Sequence, residues 1–101
     1  MIIEERDYLV RPGAAAKYAQ LWDAYGREPQ VRILGNLLGF YVTEVGELNT
    51  LVYLWGYEGL DDRVKRRAEL AADPDFAAFR AQVRDLLVRQ SNRILTPALP
   101  S

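Results

Sequence analysis

The spacing of hydrophobic positions along the chain predicts strands at both ends and a pair of strands in the middle. The first strand runs from Ile2 to Val10, and the second runs from Asn36 to Val45. A tight connection over Gly46–Asn49 leads to a third strand at Thr50–Glu58, so these two form an antiparallel hairpin. A short fourth strand is expected at Ser91–Thr96.

Helical spacing fills the first gap between these strands. Apolar residues recur at intervals of four, three and four from Ala14 to Tyr25, which is typical of an amphipathic helix. Gly26 should weaken the end of this helix, and Pro29 should stop any continuation.

The segment after the third strand predicts two further helices. Asp61 or Asp62 can act as the N-cap of the first of them. Asp73 and Pro74 then give the N-cap and first helical position of the other. The buried stripe of this last helix is expected to comprise Phe76, Phe79, Val83, Leu86 and Leu87.

The resulting order of elements is β-α-β-β-α-α-β. This order predicts an α+β fold, a ferredoxin-like split βαβ sandwich with an antiparallel sheet and its helices on one face. Residues 1–101 contain no Pro/Gly/Ser-rich linker, and the length suits one domain.

The third strand separates two kinds of side chain. Small and aliphatic Val52, Leu54 and Gly56 suit the helix side of the sheet. An aromatic face would then remain uncovered, and so large an apolar surface needs a second copy of the chain, a ligand, or both. This expected face comprises Arg6, Tyr8, Tyr41, Tyr53, Trp55 and Tyr57.

Composition narrows the chemistry by exclusion. The chain has no Cys and no His, so it lacks the residues that most often bind zinc and haem iron, and we expect no metal and no cofactor. Thirteen basic and fourteen acidic residues give a net charge of −1, which argues against nucleic acid and anionic membranes as partners. The charged start and the lack of a long apolar run favour a cytoplasmic location without a membrane span.

Several short motifs, in order, resemble those of the NIPSNAP family. The resemblance covers nearly the whole chain, and it is carried by the joint order and spacing of the motifs. They are Glu4-x-Arg6-x-Tyr8, Arg11-Pro12-Gly13, Leu38-Gly39-Phe40, Gly46-Glu47-Leu48-Asn49-x-Leu51-Val52-Tyr53-Leu54-Trp55-x-Tyr57, Asp62-Arg63-x-x-x-Arg67-x-x-Leu70-x-x-Asp73-Pro74 and Gln90.

The resemblance implies a homodimeric α/β barrel, in which two sandwiches pair sheet to sheet around a central cavity. It implies no settled activity. One departure is that family members often have His where Tyr53 stands, so chemistry that needs that imidazole is in doubt here. The positions marked by the family pattern are Arg6, Tyr8, Gly39, Asn49, Trp55, Tyr57, Arg63 and Arg67.

The leading hypothesis is a homodimer that binds a small aromatic or carbonyl-bearing molecule in the barrel cavity. Arg6 would anchor an anionic or enolate oxygen, and Asn49 would orient a carbonyl. If the protein is an enzyme, it would be of the cofactor-independent monooxygenase, cyclase or isomerase type. Its catalytic candidates are Arg6, Tyr53, Glu4 and Glu44, and its ligand-binding candidates are Arg6, Tyr8, Tyr41, Asn49, Tyr53, Trp55, Tyr57 and Arg63.

Two other functions stay open at this point. The first is a structural or adaptor dimer whose cavity is filled only by packing. The second is RNA binding on the sheet aromatics, which the charge and the sequence of the third strand disfavour.

Overall fold

The computed structural model describes residues 1–100 and shows four strands and four α-helices. The strands form one antiparallel sheet in the order β2-β3-β1-β4, the arrangement of a ferredoxin-like sandwich. The α+β prediction is therefore confirmed. In chain order the elements are β1 (Ile2–Val10), α1 (Ala15–Leu21), α2 (Arg27–Leu34), β2 (Asn36–Val42), β3 (Thr50–Tyr57), α3 (Leu60–Ala72), α4 (Pro74–Val83) and β4 (Leu87–Leu95).

The predicted orientation of the sheet is wrong: the helices cover its aromatic face. Tyr53 and Trp55 are 0% exposed, and Tyr53 meets the ring of Trp22 from the helical layer at a centroid distance of 5.4 Å. Alternation shows which side chains share a face, but it does not show which face the helices cover. The larger apolar area of the aromatic side chains decides this, because its burial gains more free energy.

The opposite face of the sheet is therefore the open one. Val52 and Leu54 lie on it, half-exposed, and are paired across to Asp7 and Glu5 of β1. Any partner that covers the sheet would meet these side chains, and the aromatic residues belong to the core of the chain itself.

The first helical segment does not stop at Pro29. A π-helical turn at Trp22–Gly26 joins α1 to α2, with the Arg27 amide donating to the carbonyl of Trp22. Pro29 then falls in the first turn of α2, where a missing amide hydrogen is tolerated. Gly26 serves packing: a Cβ there would lie 2.8 Å from the Trp22 ring and 2.9 Å from the Phe79 ring.

Several boundaries differ from the sequence-based expectations. β2 ends at Val42, so its connection to β3 spans residues 43–49. The N-cap of α3 is Gly59, and the Asp62 carboxylate accepts from the Glu58 amide instead of capping the helix. α4 starts as predicted, with the Asp73 carboxylate accepting from the Phe76 amide. β4 begins four residues early, at Leu87, so Leu87 belongs to a strand and not to the helical stripe.

No helix within residues 1–100 combines the length and the apolar character that a membrane crossing requires.

Candidate functional site

A buried carboxylate organises the polar part of the helix-covered face. Glu4 is 0% exposed, and its Oε2 accepts hydrogen bonds from Arg63 Nη2 at 2.7 Å, Asn92 Nδ2 at 2.7 Å and Arg6 Nη1 at 3.1 Å. Burial alone would raise the pKa of Glu4, but the hydrogen bonds from Arg63 and Asn92 and the charges of both arginines lower it to about 2. Glu4 therefore stays ionised and is a weak base at neutral pH.

The pairing of Glu4 with Arg63 fixes which residues of α3 meet β1. Arg67 lies one helical turn after Arg63, and Arg6 lies two strand residues after Glu4. Arg67 consequently comes next to Arg6, so that two positive charges adjoin each other.

Arg67 is the unbalanced group of this arrangement. Its Nη1 is buried, and no atom of residues 1–100 accepts a hydrogen bond from it. Burial, and then the positive charge of Arg6, lower the pKa of Arg67 below its usual value. A buried guanidinium nitrogen without an acceptor costs free energy, which an anionic group placed between the two guanidinium groups would recover.

A cavity of about 220 Å³ opens beside these two arginines. It lies between the sheet and the helices of one chain, whereas the barrel resemblance implies a cavity between two sheets. No Asp or Glu of residues 1–100 lines it. Its wall comprises Arg6, Tyr8, Tyr18, Gln30, Arg67, Phe76, Phe79, Arg80, Val83, Arg84, Leu87 and Gln90.

Of the catalytic and ligand-binding candidates named from the sequence, Arg6 and Tyr8 lie on the cavity wall. Arg6 Nε donates to the Tyr8 hydroxyl at 2.8 Å, and its guanidinium lies 5.5 Å from the centre of the Tyr8 ring. Both side chains are thus held in place before any ligand arrives.

The next group of candidates lies behind that wall. Tyr53 packs against Tyr8 with ring centroids 5.3 Å apart. The pKa of the Tyr53 hydroxyl is raised, mainly because the side chain is buried. Trp55, Tyr57 and Arg63 belong to the same buried layer around Glu4. Five buried polar atoms there have no partner in the described part of the chain: Tyr53 hydroxyl, Trp55 Nε1, Tyr57 hydroxyl, Arg63 Nε and Glu4 Oε1.

The structure does not bring Tyr41, Asn49 or Glu44 to this cavity. Tyr41 is 57% exposed on the edge strand β2, and Glu44 lies exposed in the connection to β3. Asn49 adopts a φ of 60°, and its side-chain oxygen accepts from the Gly13 amide at 3.0 Å. Its role is to join two loops, which explains why that position favours Asn.

Sequence reasoning missed most of the helical wall as site residues. Arg67 was visible as part of the family pattern, at a spacing of four from Arg63, but its unpaired state depends on the register between α3 and β1. Gln30 carried no signal of its own in the sequence. Among residues 1–100 there is also no cluster of three acidic side chains suited to a metal ion.

Comparison with known proteins identifies the family. The NIPSNAP family model matches residues 3–101. The chain belongs to the NIPSNAP family. Human NipSnap homolog 3B is 35% identical over 95 residues, which are 90% of this chain and 37% of that protein, so the chain spans well under half of its length.

Solved structures agree with this assignment. A NIPSNAP-like domain protein from Burkholderia xenovorans, described as uncharacterized, is 43% identical, with a TM-score of 0.93 over 99% of this chain and 89% of that one. An antibiotic biosynthesis monooxygenase is 11% identical, with a TM-score of 0.64 over 99% of this chain and 100% of that one. The latter likeness shows a shared fold alone.

Proposed function

We propose that this NIPSNAP domain binds a small organic anion in the cavity of each protomer, with the acidic group between Arg6 and Arg67. The observation that carries the proposal is the buried Nη1 of Arg67, which lacks an acceptor among residues 1–100 while Glu4 is already engaged by three donors. Two adjacent guanidinium groups suit a carboxylate or an enolate, because their planar donors match two oxygen atoms.

The rest of the wall defines the body of the ligand. Phe76, Phe79, Val83 and Leu87 contribute apolar surface to the wall, which Arg80 and Arg84 of the same segment also line. A cavity of about 150 Å³ accommodates a benzene ring. The cavity of about 220 Å³ therefore suits a six-membered ring or a short chain that carries one acidic group.

The carboxylates singled out from the sequence do not support base catalysis. Glu4 is held ionised with a pKa of about 2, and Glu44 lies exposed in a loop away from the cavity. A general base at neutral pH needs a pKa near 7. The proposal is accordingly one of binding.

Replacing Arg67 tests the anion site directly. We expect Arg67→Met to abolish detectable binding of benzoate and phenylacetate, because it removes one of the two charges that hold the acid. The same change should raise the free energy of unfolding of the ligand-free protein by about 1 kcal/mol, since a half-buried cation without an acceptor is replaced by an apolar chain. Isothermal titration and urea unfolding measure the two effects.

Arg11→Met is the matched control, because Arg11 is exposed and lies outside the cavity wall. It should leave both quantities unchanged. Wild-type protein that binds none of these acids at millimolar concentration, or an Arg67→Met variant that binds them as well as wild type, would contradict the proposal.

We further propose that a second copy of the chain covers the open face of the sheet, in keeping with the dimeric barrel that the family resemblance implies. Ile3, Leu9, Val52 and Leu54 are half-exposed there in one protomer, around the carboxyl pair of Glu5 and Asp7. The pKa of Asp7 is raised, mainly because its carboxyl group is partly buried and also because Glu5 lies nearby.

Val52→Lys is expected to weaken dimerisation at least about 100-fold, because a Lys at this position would be buried by the partner at a cost of about 3 kcal/mol. The isolated protomer should tolerate it, since residue 52 lies directly opposite Asp7 in the sheet. Sedimentation equilibrium measures the association constant. Val64→Lys on the exposed side of α3 is the control and should leave it unchanged, whereas a monomeric wild type would refute the pairing.

These two measurements also separate the adaptor hypothesis from ligand binding. A dimer that binds no organic acid would favour the adaptor function.

A further inference from the structure

A second polar group faces the same cavity from a different wall. Gln30 of α2 is only 2% exposed and lines the cavity. Its Oε1 accepts a hydrogen bond from Trp22 Nε1 at 2.8 Å, and Trp22 is itself 3% exposed. The indole therefore holds the carboxamide in one place.

The chemistry of the indole also fixes which way the carboxamide points. An indole N–H can only donate, so the oxygen of Gln30 must face Trp22 and its NH2 group must point elsewhere. That NH2 group donates to no atom of residues 1–100. Because the NH2 group lies on the cavity wall, an acceptor that enters the cavity can pair with it, and polar groups in such positions usually have a partner.

The position of this donor sets it apart from the anion site. Arg6 and Arg67 belong to β1 and α3, whereas Gln30 belongs to α2. A carboxamide carries no charge, and its NH2 group can pair with any acceptor oxygen. A keto oxygen needs only this one donor, because it accepts and does not donate, whereas a hydroxyl group also needs an acceptor for its own hydrogen.

We infer that the cavity selects organic acids that carry a keto oxygen in addition to the acidic group, and that the NH2 group of Gln30 recognises this oxygen. The inference rests on the proposed anion site, and it names the substrate class of that site. Gln30 is the residue that sets specificity, and Trp22 is a positioning residue that acts through it.

The test compares acids that differ only by the keto oxygen, at two spacings from the carboxylate. One pair is 2-oxo-2-phenylacetate and phenylacetate, and the other is 4-oxo-4-phenylbutanoate and 4-phenylbutanoate. In at least one pair the keto acid should bind wild type about 3- to 10-fold more tightly, which is the usual net value of one hydrogen bond. The chain has two Trp residues, so the indole N–H signal of Trp22 can be followed by NMR and should shift with the keto acid.

Two variants assign the preference to Gln30. Gln30→Met keeps the length of the side chain without a donor, and it should bind both members of the pair equally. Gln30→Glu keeps an acceptor for the Trp22 indole but replaces the NH2 group with a second oxygen. It should weaken all of the acids and the keto acid most, and it covers the case in which Gln30→Met fails to fold.

Each result decides between the two proposals. Equal binding of both members in both pairs by wild type overturns the inference and leaves the anion site standing. A keto preference that survives in Gln30→Met or Gln30→Glu also overturns it, because the recognition then lies elsewhere. Binding of none of the four acids refutes the proposed function, and the inference falls with it.

Discussion

Glu4→Gln is expected to lower the free energy of unfolding by about 3 kcal/mol at pH 7. Glu4 is 0% exposed, and one of its oxygens accepts from Arg6, Arg63 and Asn92. An amide has no charge to balance the two guanidinium groups, and removal of one partner from a buried ion pair costs about 3–5 kcal/mol. Arg67 adds a third positive charge to the same layer, so the loss of the Glu4 carboxylate leaves three positive charges close together. Urea unfolding measures the loss.

The effect should depend on pH in a defined direction. The pKa of Glu4 is lowered from 4.5 to about 2 in the folded protein, so the unfolded chain binds more protons at this site between those values. The stabilisation by Glu4 is therefore fully present above about pH 5 and is lost as the pH falls toward 2. Wild type and Glu4→Gln should differ less at pH 3 than at pH 7.

Glu28→Gln is the control, because it removes a carboxylate from the exposed pair with Arg32 on one helix. Exposed pairs of this kind contribute little, so no measurable loss is expected. A Glu4→Gln variant as stable as wild type, or a difference that stays constant down to pH 3, would show that Glu4 does not hold this layer together.

The order of the elements, apart from the separate helix α2, could be predicted from the sequence because each of them carries its own local signal. The alternation of β3 and the Asp73-Pro74 start of α4 depend on neighbouring residues alone, and both agree with the structure. The orientation of the sheet could not be predicted in this way. It depends on what the helices bring to the interface, such as the Trp22 ring that packs on Tyr53.

The π-helical turn shows the same limit. Pro29 is a strong local signal for a helix end, but one wider turn at Trp22–Gly26 places it where a missing amide hydrogen is tolerated. Gly26 is needed because Phe79 approaches it closely, which is a contact between segments more than fifty residues apart.

The candidate site, like the fold, could be predicted only in part from the sequence. Arg6 and Tyr8 followed from the face of one strand and from the family pattern. The unpaired state of Arg67 depends on its position next to Arg6, which is distant in sequence. The orientation of the Gln30 carboxamide depends on its hydrogen bond with the buried Trp22. Such relations become visible only when the helices have a known register on the sheet.

Trp55→Ala is expected to lower the free energy of unfolding by about 4 kcal/mol. Trp55 is 0% exposed beneath the helices, and truncation of a buried aromatic residue to Ala typically costs about 3–5 kcal/mol. Urea unfolding should show the loss at every protein concentration, because the cavity is created inside one protomer and not at an interface between two.

Trp55→Ala does not distinguish an adaptor dimer from a ligand-binding protein, because the aromatic face is the core of a single chain and both functions need that core. Val52→Lys on the open face of the sheet is the test of dimerisation. Tyr25→Ala, which truncates an aromatic side chain that is 55% exposed, is the control and should cost far less. A Trp55→Ala protein that unfolds like wild type as a monomer but fails to dimerise would restore the aromatic face as the interface.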